Sequence, residues 1–118
     1  MTIERMETGD RMSQIVIHND TVYLAGQVAQ NAPNGSVAEQ TKDILARIDG
    51  LLAKAGTDKT RLLSVTIWLC SMDSFAEMNS VWDAWIPKGH APARACVESP
   101  RLAAPQFTVE IGVVAAKD

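Results

Sequence analysis

Residues 92–98 carry the side chains of this chain that are best suited to bind or transform a small molecule. Their sequence is Pro-Ala-Arg-Ala-Cys-Val-Glu. In a strand, the period of two places Arg94, Cys96 and Glu98 on one face. A guanidinium is a rigid fork of donors that can hold a carboxylate through two parallel hydrogen bonds, so Arg94 is a candidate anchor for a small anion. The alternative is a structural ion pair from Arg94 to Glu98 or Glu110, and the spacing leaves both interpretations open.

Cys96 and Glu110 are the other candidate reactive groups. A cysteine nucleophile requires a lowered thiol pKa, and no histidine is placed in the sequence to supply it. We therefore favour Cys96 as a small buried residue. Glu110 lies among apolar residues of the last predicted strand, on the face opposite the predicted core, where a raised carboxyl pKa would suit proton transfer. The alternative is a salt bridge from Glu110 to Arg94 or Arg101.

Several functional classes lack their sequence signatures. The chain has no Gly-x-Ser-x-Gly, no glycine-rich phosphate loop and no His-Glu-x-x-His. Its two histidines, His18 and His90, lie on separate segments without the grouped ligands that zinc requires, so we predict no metal site. The two cysteines, Cys70 and Cys96, form no Cys-x-x-Cys pair and are expected to be reduced thiols.

Length and charge narrow the possibilities further. The 118 residues, 47% of them hydrophobic, predict one domain spanning 1–118. No apolar run is long enough to span a bilayer, and the first residues lack a secretory signal, so we expect a soluble, cytoplasmic protein. The net charge of -3 and the scattered basic residues argue against a nucleic acid partner.

The first half of the chain predicts a hairpin followed by a helix. Residues 14–18 and 21–26 are rich in β-branched residues and flank an Asn-Asp turn. Residues 30–35 favour turns. Ser36 and Glu39 have capping-box spacing, which predicts a helix that begins near Val37 and ends at a left-handed glycine at position 56.

The second half predicts a strand, a helix and two more strands. In residues 63–70, Leu63, Val65, Ile67 and Leu69 alternate with a second face that includes Trp68, which indicates a ligand or another subunit on that side. Ser74 and Glu77 form a second capping-box pattern, before a helix with a core stripe of large side chains. That stripe consists of Phe75, Met78, Trp82 and Trp85. The final strands are predicted at 93–98 and 107–115.

The predicted order is β-β-α-β-α-β-β, an α/β (α+β) fold with one sheet and two helices on one of its faces. The opposite face carries few charges. We therefore expect self-association through that face.

Five sequence blocks resemble, in order and over nearly the whole chain, those of the Rid (reactive intermediate deaminase, YjgF) family. The most specific is the Pro-Ala-Arg-x-x-Val-Glu block followed by Val-Glu-Ile. The blocks are Met12-Ser13-Gln14, Val22-Tyr23-Leu24-Ala25-Gly26-Gln27, Glu39-Gln40-Thr41, Pro92-Ala93-Arg94-Ala95-Cys96-Val97-Glu98 and Val109-Glu110-Ile111.

The resemblance implies a chorismate-mutase-like fold and a homotrimer with active sites in clefts between subunits. It implies hydrolysis of reactive imines or enamines without a cofactor, with Arg94 holding the substrate carboxylate. The attacking water would be held by the backbone carbonyl of Cys96 and by Glu110, which would also transfer protons. The backbone of Gly26 would lie against the ligand.

Two departures from the family pattern fall in the implied pocket. Met12 replaces a common tyrosine and Ala25 a common serine, which would shift preference toward larger or more apolar imines or enamines, or lower the rate. Three alternatives remain: a non-catalytic protein that binds keto acids, an RNA-directed enzyme, which the acidic charge disfavours, and an assembly protein in which Arg94 has no role.

Overall fold

The computed structural model describes residues 2–118, which form seven strands and two α-helices. Short 3-10 turns at Lys59–Arg61 and Met72–Ser74 precede the fifth strand and the second helix. In chain order the elements are β1 (Ile3–Thr8), β2 (Ser13–His18), β3 (Thr21–Leu24), β4 (Gln27–Val28), α1 (Val37–Ala55), β5 (Leu62–Leu69), α2 (Phe75–Trp85), β6 (Ala93–Glu98) and β7 (Val109–Ala116).

All seven strands belong to one mixed sheet, in the order β1-β2-β3-β7-β5-β6, with β4 also paired to β7. The pairs are antiparallel except β5 and β6, which are parallel and are connected through α2. A parallel pair needs such a crossover, because a tight hairpin can only join antiparallel strands. The predicted α+β class is therefore confirmed.

One face of the sheet packs against both helices and forms the core. On that face β5 contributes Val65, Ile67 and Leu69, which lie opposite buried residues of β7. The helix α1 adds Ile44 and Ile48 from its apolar stripe. Neither α-helix in the described residues is long and apolar enough to cross a membrane. The helices thus lie together on one side, as predicted, and leave the second face of the sheet without a covering layer.

Two strands of the sheet were not predicted from the sequence. The strand β1 is an edge strand that pairs only with β2, and five of its six residues are exposed, so it lacks an alternating apolar pattern. The strand β4 has two residues, which is too short for a periodic signal.

The predicted alternation in β5 was wrong at Leu63. A register irregularity between Leu62 and Ser64 shifts the phase of the strand, so that Leu62 is buried and Leu63 is exposed. A bulge inserts one extra residue, which exchanges the two faces on one side of it.

The two predicted capping boxes differ in outcome. At α1 the box is confirmed: the Ser36 hydroxyl accepts from the Glu39 N–H, and the Glu39 carboxylate accepts from the Ser36 N–H. At α2 it was wrong, because Ser74 is the last residue of the preceding 3-10 turn rather than an extended N-cap, and its side chain makes no cap hydrogen bond. The carboxylate of Glu77 instead accepts from the backbone N–H of Ala38, 2.9 Å away, and links the two helices.

Candidate active site

Arg94 and Cys96 lie on the helix side of the sheet, on the edge strand β6. The parallel register pairs Arg94 with Val65 and Cys96 with Ile67, and both of these β5 residues belong to the core face. Side chains of paired residues leave the sheet on the same side. Arg94 and Cys96 therefore lie on the same face of β6, as predicted. That face is the one covered by α2.

The guanidinium of Arg94 lies between two aromatic rings of α2. Its central carbon is 5.2 Å from the ring centroid of Trp82 and 5.9 Å from that of Phe75. The faces of these rings attract the cation. The sequence predicted a core stripe here, which is correct for the buried Met78 and Trp82, whereas Phe75 is exposed and borders Arg94.

Arg94 has no carboxylate partner within residues 2–118. The one salt bridge there joins Lys54 to Glu7, 3.0 Å apart. Glu98 accepts from the backbone N–H of Met72 instead. One terminal nitrogen of the Arg94 guanidinium is buried and makes no hydrogen bond to any of the described residues. The ion-pair alternatives weighed for Arg94 therefore do not occur within this chain, and a buried cationic donor is left without an acceptor.

Asn79 is a polar residue of this region that sequence reasoning missed. Four residues after Phe75 and three before Trp82, it lies on the same face of α2 as the two rings that flank Arg94. Its side-chain oxygen is buried without a hydrogen-bond partner. The sequence feature that could have identified Asn79 is its helical spacing between two aromatic residues. An isolated asparagine in a helix has no other feature that indicates a functional role.

Cys96 offers a backbone acceptor more readily than a thiolate. Burial raises the pKa of the Cys96 thiol, and the nearby Arg94 charge offsets only part of that effect. The thiol therefore stays protonated at neutral pH, in line with the interpretation favoured from sequence. The N–H of Ser99 donates to the Leu69 carbonyl, so by strand alternation the Cys96 carbonyl points away from β5, toward the open edge of the sheet.

Glu110 lies on the second face of the sheet. It pairs with Trp68 of β5 and with Val28 of β4, while its neighbours in β7 point into the core. Burial raises the pKa of the Glu110 carboxyl group, and no charged group contributes to the shift. The predicted position, opposite the core and in apolar surroundings, agrees with the structure, whereas the alternative salt bridge to Arg94 or Arg101 is not formed.

Gly26 lies directly against the Glu110 carboxylate. A Cβ atom at position 26 would overlap a carboxylate oxygen and would come within 3.0 Å of the carboxyl carbon, so glycine is required for this approach. Gly112, on the same face, lies under the ring of Trp68, with 3.5 Å between its Cβ position and the ring. Glycines 26 and 112 thereby leave room for the Glu110 carboxylate and the Trp68 indole.

The other two predicted pocket residues flank this region. Ala25 precedes Gly26, is half-buried, and its N–H donates to the Gln14 carbonyl. Met12 is exposed in the turn that leads into β2. Neither side chain offers a hydrogen-bonding group.

The candidate residues thus fall into two half-sites on opposite faces of the sheet. The arginine half-site contains Arg94, Cys96, Asn79 and the two rings. The glutamate half-site contains Gly26, Glu110 and Trp68. Within one chain the sheet separates the Arg94 guanidinium from the Glu110 carboxylate, so no single pocket of the chain holds both.

Comparison with known proteins agrees with this fold. Residues 2–117 match the family model described as Endoribonuclease L-PSP. A RutC family protein of Haemophilus influenzae is 42% identical over 115 residues, with 98% of each chain covered. The RutC family protein YoaB of Escherichia coli is 45% identical over 116 residues, covering 98% of this chain and 99% of that protein.

A solved structure extends the match to three dimensions. A YjgF family protein from Neisseria meningitidis superposes with a TM-score of 0.95 at 47% identity, covering 100% of this chain and 97% of that one. The chain belongs to the YjgF (Rid) family. Yeast Mmf1 is a more distant structural relative, with a TM-score of 0.90 at 28% identity, covering 99% of this chain and all of that one.

In this YjgF-family chain, three of the five blocks that carry the resemblance contribute residues to the two half-sites. The block with Arg94 and Cys96 forms the edge strand of the arginine half-site. The blocks with Gly26 and Glu110 meet where β4 pairs with β7. Family membership accounts for the shared fold. The function of this member has to be inferred from the chemical groups in the two half-sites.

Proposed function

We propose that this protein hydrolyses reactive 2-imino acids, or their enamine tautomers, to 2-keto acids and ammonia, with Arg94 holding the substrate carboxylate. The observation that carries the proposal is the buried guanidinium nitrogen of Arg94, which has no hydrogen-bond partner within residues 2–118. An unpaired buried donor on a charged group is costly, and a ligand carboxylate would satisfy it.

The surroundings of Arg94 favour a small carboxylate with an apolar remainder. The guanidinium lies over the rings of Phe75 and Trp82, and its planar fork of donors can make two parallel hydrogen bonds to one carboxylate. The side chains of Met12 and Ala25 lack polar groups, which supports a preference for larger, more apolar imines or enamines. None of these contacts calls for a cofactor.

The reaction also needs the glutamate half-site, and we infer that a second copy of the chain supplies it. A cyclic arrangement, here a homotrimer, would bring Arg94 and Cys96 of one copy against Gly26 and Glu110 of the next. The uncovered second face of the sheet supports this assembly. On that face Tyr23 and Val97 are 47% and 44% exposed, which is typical of an interface rather than of a solvated sheet.

The groups then have defined roles. A water molecule, held by the Cys96 carbonyl and the Glu110 carboxylate, adds its oxygen to the imine carbon while a proton passes to the nitrogen. The hydroxyl proton of this adduct then also passes to the nitrogen, and the carbon–nitrogen bond breaks. Ammonia departs, and the carbon becomes the keto group of the product. Glu110 is suited to carry both protons because burial raises its pKa toward the operating pH. Orientation of water, carboxylate and proton carrier suffices, because the imine is already electrophilic.

A non-catalytic keto-acid receptor is the second candidate, because the same unpaired Arg94 nitrogen would bind a keto acid. It predicts binding that depends on Arg94 without turnover. Cleavage of RNA, which the family description names, has less support, since the chain carries a net charge of -3 and its basic residues are scattered.

The test is imine hydrolysis by the intact protein and by two variants at Arg94. An amino-acid oxidase generates 2-iminopropanoate or bulkier imino acids, and semicarbazide traps the imine that survives. We expect Arg94→Ala to lower kcat/KM at least about 100-fold, because loss of a buried charge-assisted contact costs roughly 3 kcal/mol. We expect Arg94→Lys to recover little, because an ammonium lacks the bidentate fork.

Arg101→Ala is the matched control, since Arg101 is exposed and outside both half-sites. Its activity should equal that of the unmodified protein. If the unmodified protein leaves the trapped imine unchanged with small and bulky substrates, hydrolysis of those imines is excluded. Calorimetry with 2-keto acids then tests the receptor function. Binding by the unmodified protein that is lost in Arg94→Ala would support it.

A further inference from the structure

The contact between Gly26 and Glu110 depends on how the backbone at residue 26 is held. Gly26 lies between Ala25, whose N–H donates to the Gln14 carbonyl 3.0 Å away, and Gln27, whose backbone pairs with Ile111 of β7. Glycine has no side chain with which to fix itself, and its backbone is the most permissive of all residues. Its position must therefore be set by its two neighbours in the chain.

The side chain of Gln27 is the strongest restraint on this segment. It is 2% exposed and leaves the sheet on the core side, because its partner Ile111 belongs to the core face. Its amide nitrogen donates to the Ala25 carbonyl at 3.0 Å and to the Gln14 side-chain oxygen at 2.7 Å. The first of these bonds closes a loop around Gly26, and the second anchors that loop to β2.

We propose that Gln27 is a positioning residue that holds the Gly26 backbone against the Glu110 carboxylate from the opposite face of the sheet. The proposal rests on the proposed function, because it assigns to Gln27 the geometry of the glutamate half-site. Gln27 touches neither substrate nor Glu110 in this role. It acts through the peptide segment 25–26.

Arg47 of α1 determines which way the Gln27 amide faces. Its Nε lies 3.4 Å from the Gln27 side-chain oxygen, and a guanidinium can only donate. The Ala25 carbonyl can only accept, so the amide nitrogen must face Ala25 and the oxygen must face Arg47. The helix α1 is thereby connected through one buried amide to the glutamate half-site on the far side of the sheet.

The substitution Gln27→Glu preserves shape and removes both donated hydrogen bonds. The new carboxylate retains its contact with Arg47 but places oxygen against the oxygens of Ala25 and Gln14, which repel it. Segment 25–26 should move away, and water should reach Glu110. We expect kcat to fall about 10- to 100-fold, as for misplacement by about an ångström, with KM nearly unchanged because Arg94 still binds the carboxylate.

A second measurement needs no substrate. The carboxyl carbon of Glu110 is followed by NMR during a pH titration of the whole protein, assigned by comparison with Glu110→Gln. The neighbours of Glu110 on its sheet face are Val28 of β4, Trp68 of β5 and Gly112 of β7, and none carries a charge. Burial therefore dominates the titration of Glu110. In Gln27→Glu the added negative charge would by itself raise the Glu110 pKa, so a fall of that pKa toward the ordinary glutamate value reports the entry of water, and this fall is the result we expect.

Two further variants separate positioning from general stability. Thr41→Val removes a buried hydrogen bond to the Val37 carbonyl within α1, so it should lower the melting temperature without altering the Glu110 titration or kcat. Arg47→Met leaves Gln27 in place but removes the group that orients its amide. It should shift the titration in the same direction as Gln27→Glu, by less.

The proposal is overturned if Gln27→Glu and Arg47→Met leave the titration of Glu110 unchanged, whatever their melting temperatures. It is also overturned if Thr41→Val shifts the titration as much as they do, because the effect is then one of global stability. If the unmodified protein hydrolyses no imine, the proposed function fails, while the titration still decides whether Gln27 sets the surroundings of Glu110. If Gln27→Glu does not fold, the Arg47→Met titration decides alone.

Discussion

The two half-sites hold charged groups in opposite ways. Arg94 lies on the covered side of the sheet, where the faces of two aromatic rings compensate its charge. Glu110 lies on the uncovered side, where glycines and an indole surround it and burial raises its pKa. The cation thus lies over aromatic rings, whereas the carboxylate is biased toward its neutral form by burial.

This difference explains how one chain keeps two opposite charges apart. Were both groups on one face of adjacent strands, they would form an ion pair, which would lower the pKa of the carboxyl group and occupy the guanidinium. The sheet between them prevents that pairing. Neither group is therefore neutralised by the other within one copy of the chain.

The largest change in activity is expected when two variants, each defective in a different half-site, are combined in one oligomer. Arg94→Ala and Glu110→Gln should each be nearly inactive alone. In every closed ring of three that contains both variants, about a third of the sites would pair an intact Arg94 with an intact Glu110. Co-expression with two different affinity tags, followed by the imine assay on doubly tagged oligomers, measures this recovery. Doubly tagged oligomers as inactive as either variant would rule out a site shared between copies.

A smaller effect is expected from filling the space beside Glu110. Gly26→Ala places a methyl group on the carboxylate, and we expect about a 10- to 100-fold lower kcat/KM, because the proton carrier is displaced. Gly50→Ala is the matched control: a Cβ at Gly50 meets open space in the interior of α1. It should leave kcat/KM unchanged and raise the free energy of unfolding by about 0.5–1 kcal/mol in urea titrations. If kcat/KM is unaltered in Gly26→Ala, Gly26 has no role in the glutamate half-site.

The smallest effect is one of stability and pH. Because the pKa of Glu110 is raised by folding, this carboxyl contributes stability that is present below its unfolded pKa and lost as pH rises through its folded pKa. Glu110→Gln does not titrate, so its free energy of unfolding relative to the unmodified protein should increase between pH 4 and pH 7. Urea unfolding at several pH values measures this trend.

Glu39→Gln should show the opposite trend, because hydrogen bonds from Ser36 lower the Glu39 pKa and the stability they confer is lost as pH falls. Its free energy of unfolding relative to the unmodified protein should therefore decrease between pH 4 and pH 7. Trends of the same sign in the two variants would contradict the assignment of Glu110 to a desolvated setting.

Local patterns predicted the elements that have strong periodicity or caps. The hairpin of β2 and β3, and the capping box and left-handed glycine of α1, follow from interactions between residues close in the chain. The strand β6 was predicted from its alternation, although its place at the edge of the sheet depends on pairing with the distant β5. The edge strand β1 and the phase shift at Leu63 depend on pairing with distant strands, and neither leaves a periodic trace in its own segment.

What the sequence by itself determined is the identity of the chemical groups: an arginine and a cysteine two residues apart on one strand face, and a glutamate in an apolar strand. Strand alternation is a local property, so it assigns each group to one of two faces. The alternation in the last strand also predicted that Glu110 faces away from the core. Only the tertiary structure decided that Arg94 faces the helices, and that Asn79 and Gln27 complete the surroundings of the two groups. Those relations arise from sheet order and register between segments far apart in the chain, which no local pattern encodes.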